Sequence, residues 1–376
     1  DRNVAIGVEA LNSMSAASTV DTYNTAIGYA AGTAVTTGTN NTILGGLAAD
    51  ALTIGHNNIA IGYKALSASV DGDYNVAIGY AALEDYEDGD GNGHNTAIGS
   101  SSQKNATTGE FNTSLGSLSM GTGVVTGDAN VAIGYLAGQD ITSGTHNVFV
   151  GNDAGKQVTT GERNVALGKS ALGTEDTGSR NVAIGWNALG TLNFDGNGNN
   201  TALGYYAGAL IQSGINNTTV GNLAGDALTT GSNNIVIGSS AAASAVDVDN
   251  EITLGDANIN AFRCADQSIA ALSDGRDKTD IKNSSYGLEF INTIRPVEFT
   301  WNFRPENMAE AKQGKKRVGF IAQELQEAMP NSENEILDLV YSVSDERIEA
   351  KYGNLIPILV KAIQELSEEV KQLKNK

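Results

Sequence analysis

The chain has 376 residues, a net charge of −20 and a single cysteine, Cys264. That acidic balance argues against a nucleic-acid partner, which needs clustered Lys and Arg, and one cysteine excludes an intrachain disulfide framework. No run approaches the ~20 apolar residues of a membrane span and no secretory signal is visible, so no membrane insertion is expected.

Composition divides the chain. Forty of the 45 glycines precede Ser273, and all four prolines follow it. Residues 1–272 carry 8 basic and 25 acidic side chains, against 15 and 18 in residues 273–376. The reading is a repeat segment over 1–255, a junction over 256–272 and a second domain over 273–376. Asp1 stands two residues before the first repeat phrase, so further chain upstream is expected.

The repeat segment is built on one phrase: Asn, two small or β-branched residues, Ile or Leu, then Gly. It stands as Asn3-Val-Ala-Ile-Gly7, Asn75-Val-Ala-Ile-Gly79, Asn130-Val-Ala-Ile-Gly134 and Asn181-Val-Ala-Ile-Gly185, with ten variants between and after them. Nine of the thirteen spacings are seventeen residues. A fixed period of this kind defines a repeat architecture. In Val165-Ala-Leu167 the outer two residues point one way and Ala166 the other. A second apolar stretch such as Tyr29-Ala-Ala-Gly32 follows, then a Thr-Thr-Gly or Ser-Gly turn. Each period therefore reads as two short strands and two turns, one coil of a β-solenoid with a thin core of Ala, Val, Ile and Leu. So little core per residue calls for lateral association of several chains. Tyr29, Tyr63, Tyr80, Tyr135, Trp186 and Tyr205 each follow the phrase's Gly and are expected to line one face, where they bind glycans or, the reading preferred here, pack between subunits.

Other candidates fall between phrases. Asp88, Asp90 and Asn92 resemble the front of an EF-hand loop, but Gly99 stands where its bidentate acid belongs. A solvated turn is preferred, with Ca²⁺ kept as the alternative and no other cofactor expected. His56, His94 and His146 read as turn residues, with no metal site.

Beyond the repeats, Arg295–Trp301 alternates as a strand. Residues 318–329 read as a helix with Ile321, Leu325 and Ala328 on one face, stopped at Pro330. A last helix, about 355–374, places Ile356, Leu359, Ile363, Leu366, Val370 and Leu373 at coiled-coil spacing. Ile and Val at a with Leu at d favour two strands.

The repeat segment resembles the head repeats of trimeric autotransporter adhesins, which are parallel β-rolls with a shorter period; similar repeats occur in phage fibre shafts. The tail resembles the C-terminal intramolecular chaperone of phage tailspikes, tail fibres and endosialidases. Four blocks carry that resemblance: Ser273-Asp-Gly-Arg-Asp-Lys278-Thr-Asp-Ile281, Pro296–Trp301, Gly319–Glu324 and Leu355–Leu366. The resemblance implies three chains, not two, and self-cleavage between Leu272 and Ser273. Ser273 would be the nucleophile and Lys278 its general base, with Asp274 and Arg276 in support. A Ser hydroxyl needs a base to take its proton, and a Lys serves where burial favours its neutral form.

The expected fold is mainly β: a trimeric β-solenoid or β-roll shaft followed by a small α+β chaperone domain ending in a coiled coil. The expected protein is a homotrimeric tail fibre or tailspike of a virion that attaches to a host-surface receptor. It turns over no substrate beyond its own backbone. The alternatives are a bacterial surface adhesin, which calls for a membrane-anchor barrel, and a glycan-degrading spike, for which no carboxylate pair is apparent in so regular a rod.

Overall fold

The structure, a computed structural model, describes residues 2–14, 21–87, 93–259, 261–263, 273–302, 313–329, 334–344 and 347–375. The chain forms two compact units, Asp1–Asp256 and Ala257–Lys376.

In the first unit fifteen three-residue strands, from β1 (Val4–Ile6) to β15 (Ile252–Leu254), stack in chain order as one parallel sheet. Val165 of β10 (Val165–Leu167) faces Val148 of β9 (Val148–Val150) on one side and Val182 of β11 (Val182–Ile184) on the other. Each coil thus returns the chain to the same place, displaced by one strand spacing of about 4.8 Å. The fold is a parallel β-solenoid with one strand per coil, not two. The second apolar stretch is a turn because two of its residues, one apart, are left-handed: Leu47 and Ala49 have φ of 53° and 45°, and Lys64 and Leu66 have 55° and 56°. A strand cannot pass through that conformation.

The asparagine that opens each phrase is buried from Asn24 onward and ties each coil to the next. Its Oδ1 accepts the backbone N–H of the equivalent residue one coil on, at 2.7–3.1 Å at every step from Asn3 to Glu251. In most coils its Nδ2 also donates to the carbonyl that ends the same coil, as Asn147 does to Gly161 at 2.8 Å; among the described residues Asn3, Asn75 and Asn181 lack that bond. The phrase's Gly is required for two reasons. Gly151 has φ of 138°, and a Cβ there would meet the carbonyl oxygen of Gly168 at 2.6 Å. Replacing Asn147 with Ala orphans the Asn164 N–H and the Gly161 carbonyl inside the stack. At about 1–3 kcal/mol for each buried unsatisfied group, a loss of about 2–6 kcal/mol is expected in denaturant unfolding. A loss under half a kcal/mol would show that the asparagines are not what holds the coils.

Only the middle residue of each strand points inward. Ala166 and Ala183 are fully buried, while their neighbours Val165, Leu167, Val182 and Ile184 are half-buried or exposed. The core is therefore thinner than the sequence reading had it, with Ile and Leu of the phrase lying outside. Phe149 replaces an inward Ala and fits because glycines adjoin it: a Cβ on Gly138 or Gly155 would come within 2.8 Å or 2.4 Å of its ring.

Glu175 stands where neighbouring coils bury Val158 and Leu192. It accepts the backbone N–H groups of Gly178, Asp176 and Phe194 at 2.7, 3.0 and 3.2 Å. Burial outweighs these bonds and pushes its carboxyl above the usual range. In the window between the ordinary and raised values the folded state binds more protons than the unfolded state, so stability falls as pH rises through it. Thermal unfolding of Glu175→Val beside the parent should therefore show the parent gaining on the variant from pH 7 to pH 5. A difference that does not change with pH would contradict this.

The second unit opens on a 3₁₀ turn, Gly275–Asp277, followed by α1 (Leu288–Ile291). Strands β16 (Val297–Thr300) and β17 (Lys316–Gly319) pair antiparallel, then α2 (Ala322–Ala328) and α3 (Asn334–Leu337) follow. The pair β18 (Val340–Ser344) and β19 (Arg347–Ala350) precedes α4 (Leu355–Lys374). Its small core gathers Phe290, Met329, Leu337, Leu339, Leu355 and Ile358. The helix expected from 318 starts at Ala322, because Val318 and Gly319 pair with β16 instead.

Candidate functional site

Asp274 caps the 3₁₀ turn by accepting the Arg276 N–H at 2.9 Å. The same carboxylate receives the Arg276 guanidinium, with Nε at 3.0 Å from each oxygen, and this bond holds the Asp274 carboxyl below the usual carboxylate range. The turn folds the chain back so that Lys278 reaches Ser273: Nζ lies 2.6 Å from Oγ and 3.5 Å from the Ser273 carbonyl oxygen. Four of the residues named from the sequence are thus brought together, in two contacting pairs on one turn. Every residue from Ser273 to Ser285 is exposed. The remaining member, Leu272, lies outside the described residues, as do Cys264 and the calcium candidates Asp88, Asp90 and Asn92.

The other tail blocks converge. Pro296–Trp301 and Gly319–Glu324 meet in the β16–β17 pair, where Val297 faces Gly319. Arg295 beside the first pairs with Glu324 of the second, Nε to Oε2 at 3.1 Å. Glu365 of the last block accepts the Leu288 N–H at 2.7 Å, capping α1, and pairs with Lys361 at 3.2 Å. Gly319 sits under Tyr352, whose hydroxyl a Cβ there would meet at 2.6 Å.

Residues 273–332 match the family model of the chaperone of endosialidase. The match opens on Ser273 and takes in the first three blocks; Leu355–Leu366 lies beyond it. No curated protein matches the chain. The C-terminal unit therefore carries an intramolecular chaperone segment, joined in sequence to a β-solenoid.

One feature is not among the sequence expectations. The third residue of all fifteen strands, from Ile6 to Leu254, is Ile, Leu or Val and stands half-buried or exposed, forming an unbroken aliphatic column. Its signal was the invariance of that position beside an Ala small enough to be the inward one. The aromatic series also departs from expectation. Tyr63 stacks on Tyr80 at 5.8 Å and Trp186 meets Tyr205 edge-on at 5.2 Å, but coils with Asn152 or Lys169 at that place interrupt the row. His94 lies between the rings of Tyr74 and Phe111, and His56 Nδ1 accepts the Thr39 N–H at 3.2 Å.

In α4, Leu355, Ile358 and Ala362 face the domain core. Ile356, Leu359, Ile363, Leu366, Val370 and Leu373 stand 41–69% exposed on the seam read from the sequence.

Proposed function

We propose that the chain is a homotrimeric tail-fibre or tailspike protein of a virion, serving host-surface attachment, whose C-terminal domain aligns three chains and then cuts itself off before Ser273. The observation that carries this reading is the Ser273 Oγ to Lys278 Nζ contact of 2.6 Å at the first residue of the chaperone match. The aliphatic column of the solenoid and the open seam of α4 support the trimer: two apolar stripes of this length in water favour association.

The cleavage is two acyl transfers, from nitrogen to oxygen and then to water. Ser273 Oγ attacks the Leu272 carbonyl carbon while its proton passes to a neutral Lys278 amine. The Leu272–Ser273 C–N bond breaks, the nitrogen takes a proton, and an ester joins Leu272 to Oγ. Water then hydrolyses the ester, leaving a Leu272 carboxylate and a free Ser273 amine. In one chain the pair is exposed to water. Packing of three chains around the turn would dry the site and favour the neutral amine. Assembly therefore precedes cleavage, and a single turnover asks little of the site. Masses measured under denaturing and native conditions on one preparation test cleavage and assembly separately.

A further inference from the structure

We infer that the residue before each phrase asparagine forms a linear binding stripe for an acidic polysaccharide. It names a ligand class for the attachment reading and rests on that reading for its biological setting only.

The residues in question are left-handed throughout, with φ of 57° at Tyr74, 58° at Phe111, 59° at His146, 57° at Arg163 and 63° at Arg180. Their backbones are locked in register: the Arg163 N–H donates to the Thr145 carbonyl at 3.0 Å and the Arg180 N–H to Glu162 at 2.9 Å. One conformation repeated in register projects the side chains in parallel, one coil apart.

Asparagine is the natural occupant of such a position, because its short side chain tolerates the left-handed region. Six coils use it: Asn40, Asn57, Asn199, Asn216, Asn233 and Asn250. Tyr, Phe, His and Arg there carry strain that the backbone does not demand. The order of the departures is informative. Tyr74, His94 and Phe111 form one block, with ring centroids 4.8 and 5.3 Å apart and planes within 3° and 11°. Ala129 leaves a gap. His146, Arg163 and Arg180 follow on three consecutive coils, and the adjacent like charges of Arg163 and Arg180 oppose their stacking on one another. The four asparagines from Asn199 onward complete the column, and all of these residues except the half-buried Ala129 are exposed.

The charge is out of keeping with its surroundings. Through Asp256 the chain has seven Lys and Arg, and four of them, Lys156, Arg163, Lys169 and Arg180, fall within 25 residues. Glu162 pairs with Arg163 at 2.8 Å, an exposed contact that a ligand carboxylate can replace. Asp176 and Asp195 lie on the turns beside Arg180, and the Asp195 carboxylate accepts the Thr177 hydroxyl at 2.6 Å.

Rings supply apolar contact for sugar C–H faces. Guanidinium forks receive carboxylates, and asparagine amides both donate to and accept from hydroxyls. Their arrangement in blocks along a straight column suits a linear polymer of acidic sugars.

The test is binding of the full chain to polygalacturonate, with dextran and single-stranded DNA as comparisons. The parent should bind polygalacturonate with an affinity that falls as salt rises, and bind the other two at least about tenfold more weakly. Arg163→Asn with Arg180→Asn should weaken binding about tenfold or more, in a protein that folds, since neighbouring coils carry Asn there. Tyr74→Asn with Phe111→Asn should weaken it independently. Lys156→Asn with Lys169→Asn removes the same charge off the column and should leave binding within about twofold. No binding to polygalacturonate, equal binding to dextran or DNA, or equal loss in the Lys variant would overturn the stripe. Native mass and cleavage, read on the same samples, report on the attachment protein's assembly and not on its ligand.

Discussion

Replacing Ser273 with Ala should turn a two-band protein into a single full-length chain of 38.9 kDa on a denaturing gel. The parent should give one fragment ending at Leu272 and another beginning at Ser273, and processing should fall from complete to undetectable. Ser273 Oγ is the hydroxyl the Lys278 amine touches, at 2.6 Å, and an alanine leaves no nucleophile for the acyl shift. Lys278→Met should have the same effect by removing the base. It leaves Asp274 and Arg276 to hold the 3₁₀ turn, so a loss of cleavage would not be a loss of the turn. Two bands from the Ala variant would sink Ser273 as the nucleophile, and an intact parent would sink self-cleavage.

The second large effect is expected on the opposite kind of residue, one with no chemistry. Leu167 and Leu203 belong to the aliphatic column and are 44% and 46% exposed in a single chain. Changing both to Asp should leave each coil intact, because Ala166 and Ala202 face inward and the backbone bonds do not involve these side chains. Assembly should fail, since each leucine loses about 1.5–3 kcal/mol of burial and each new carboxylate would have to be desolvated at the interface. A variant that keeps both its β-rich circular dichroism and its oligomeric mass would show that the column is ordinary surface.

The period, the glycine and the parallel stack were legible in the sequence because each is a local demand repeated many times. The coil's second strand was misread for a physical reason. Ala-Ala-Gly and Ala-Leu look apolar and extended, and nothing in their composition announces that Ala30 and Gly32 are both left-handed. The direction of Ile and Leu was equally hidden. Period-2 alternation separates Ala166 from Val165 and Leu167 but does not say which side is the interior, and a larger residue is ordinarily assigned inward. The inward place on the strand holds Ala in most coils, Ile43, Thr219 or Val236 in others, and Phe149 where Gly138 and Gly155 make space.

At the tail, the resemblance of four blocks in order pointed to Ser273 and Lys278, and the turn Gly275–Asp277 is what brings the two side chains into contact. The start of α2 was misplaced because Val318-Gly-Phe-Ile supports strand and helix alike, and pairing with β16 decides it. The stripe before each asparagine went unnoticed because its members differ in type. Only the shared left-handed conformation makes them one column.

The central claim is that this solenoid is the shaft of a trimer aligned by its C-terminal domain. Native mass spectrometry of the Ser273→Ala protein tests it most directly, since every chain then remains whole. The account predicts a single species at three times 38.9 kDa that does not dissociate on dilution. A stable species at the mass of one chain or two would contradict it.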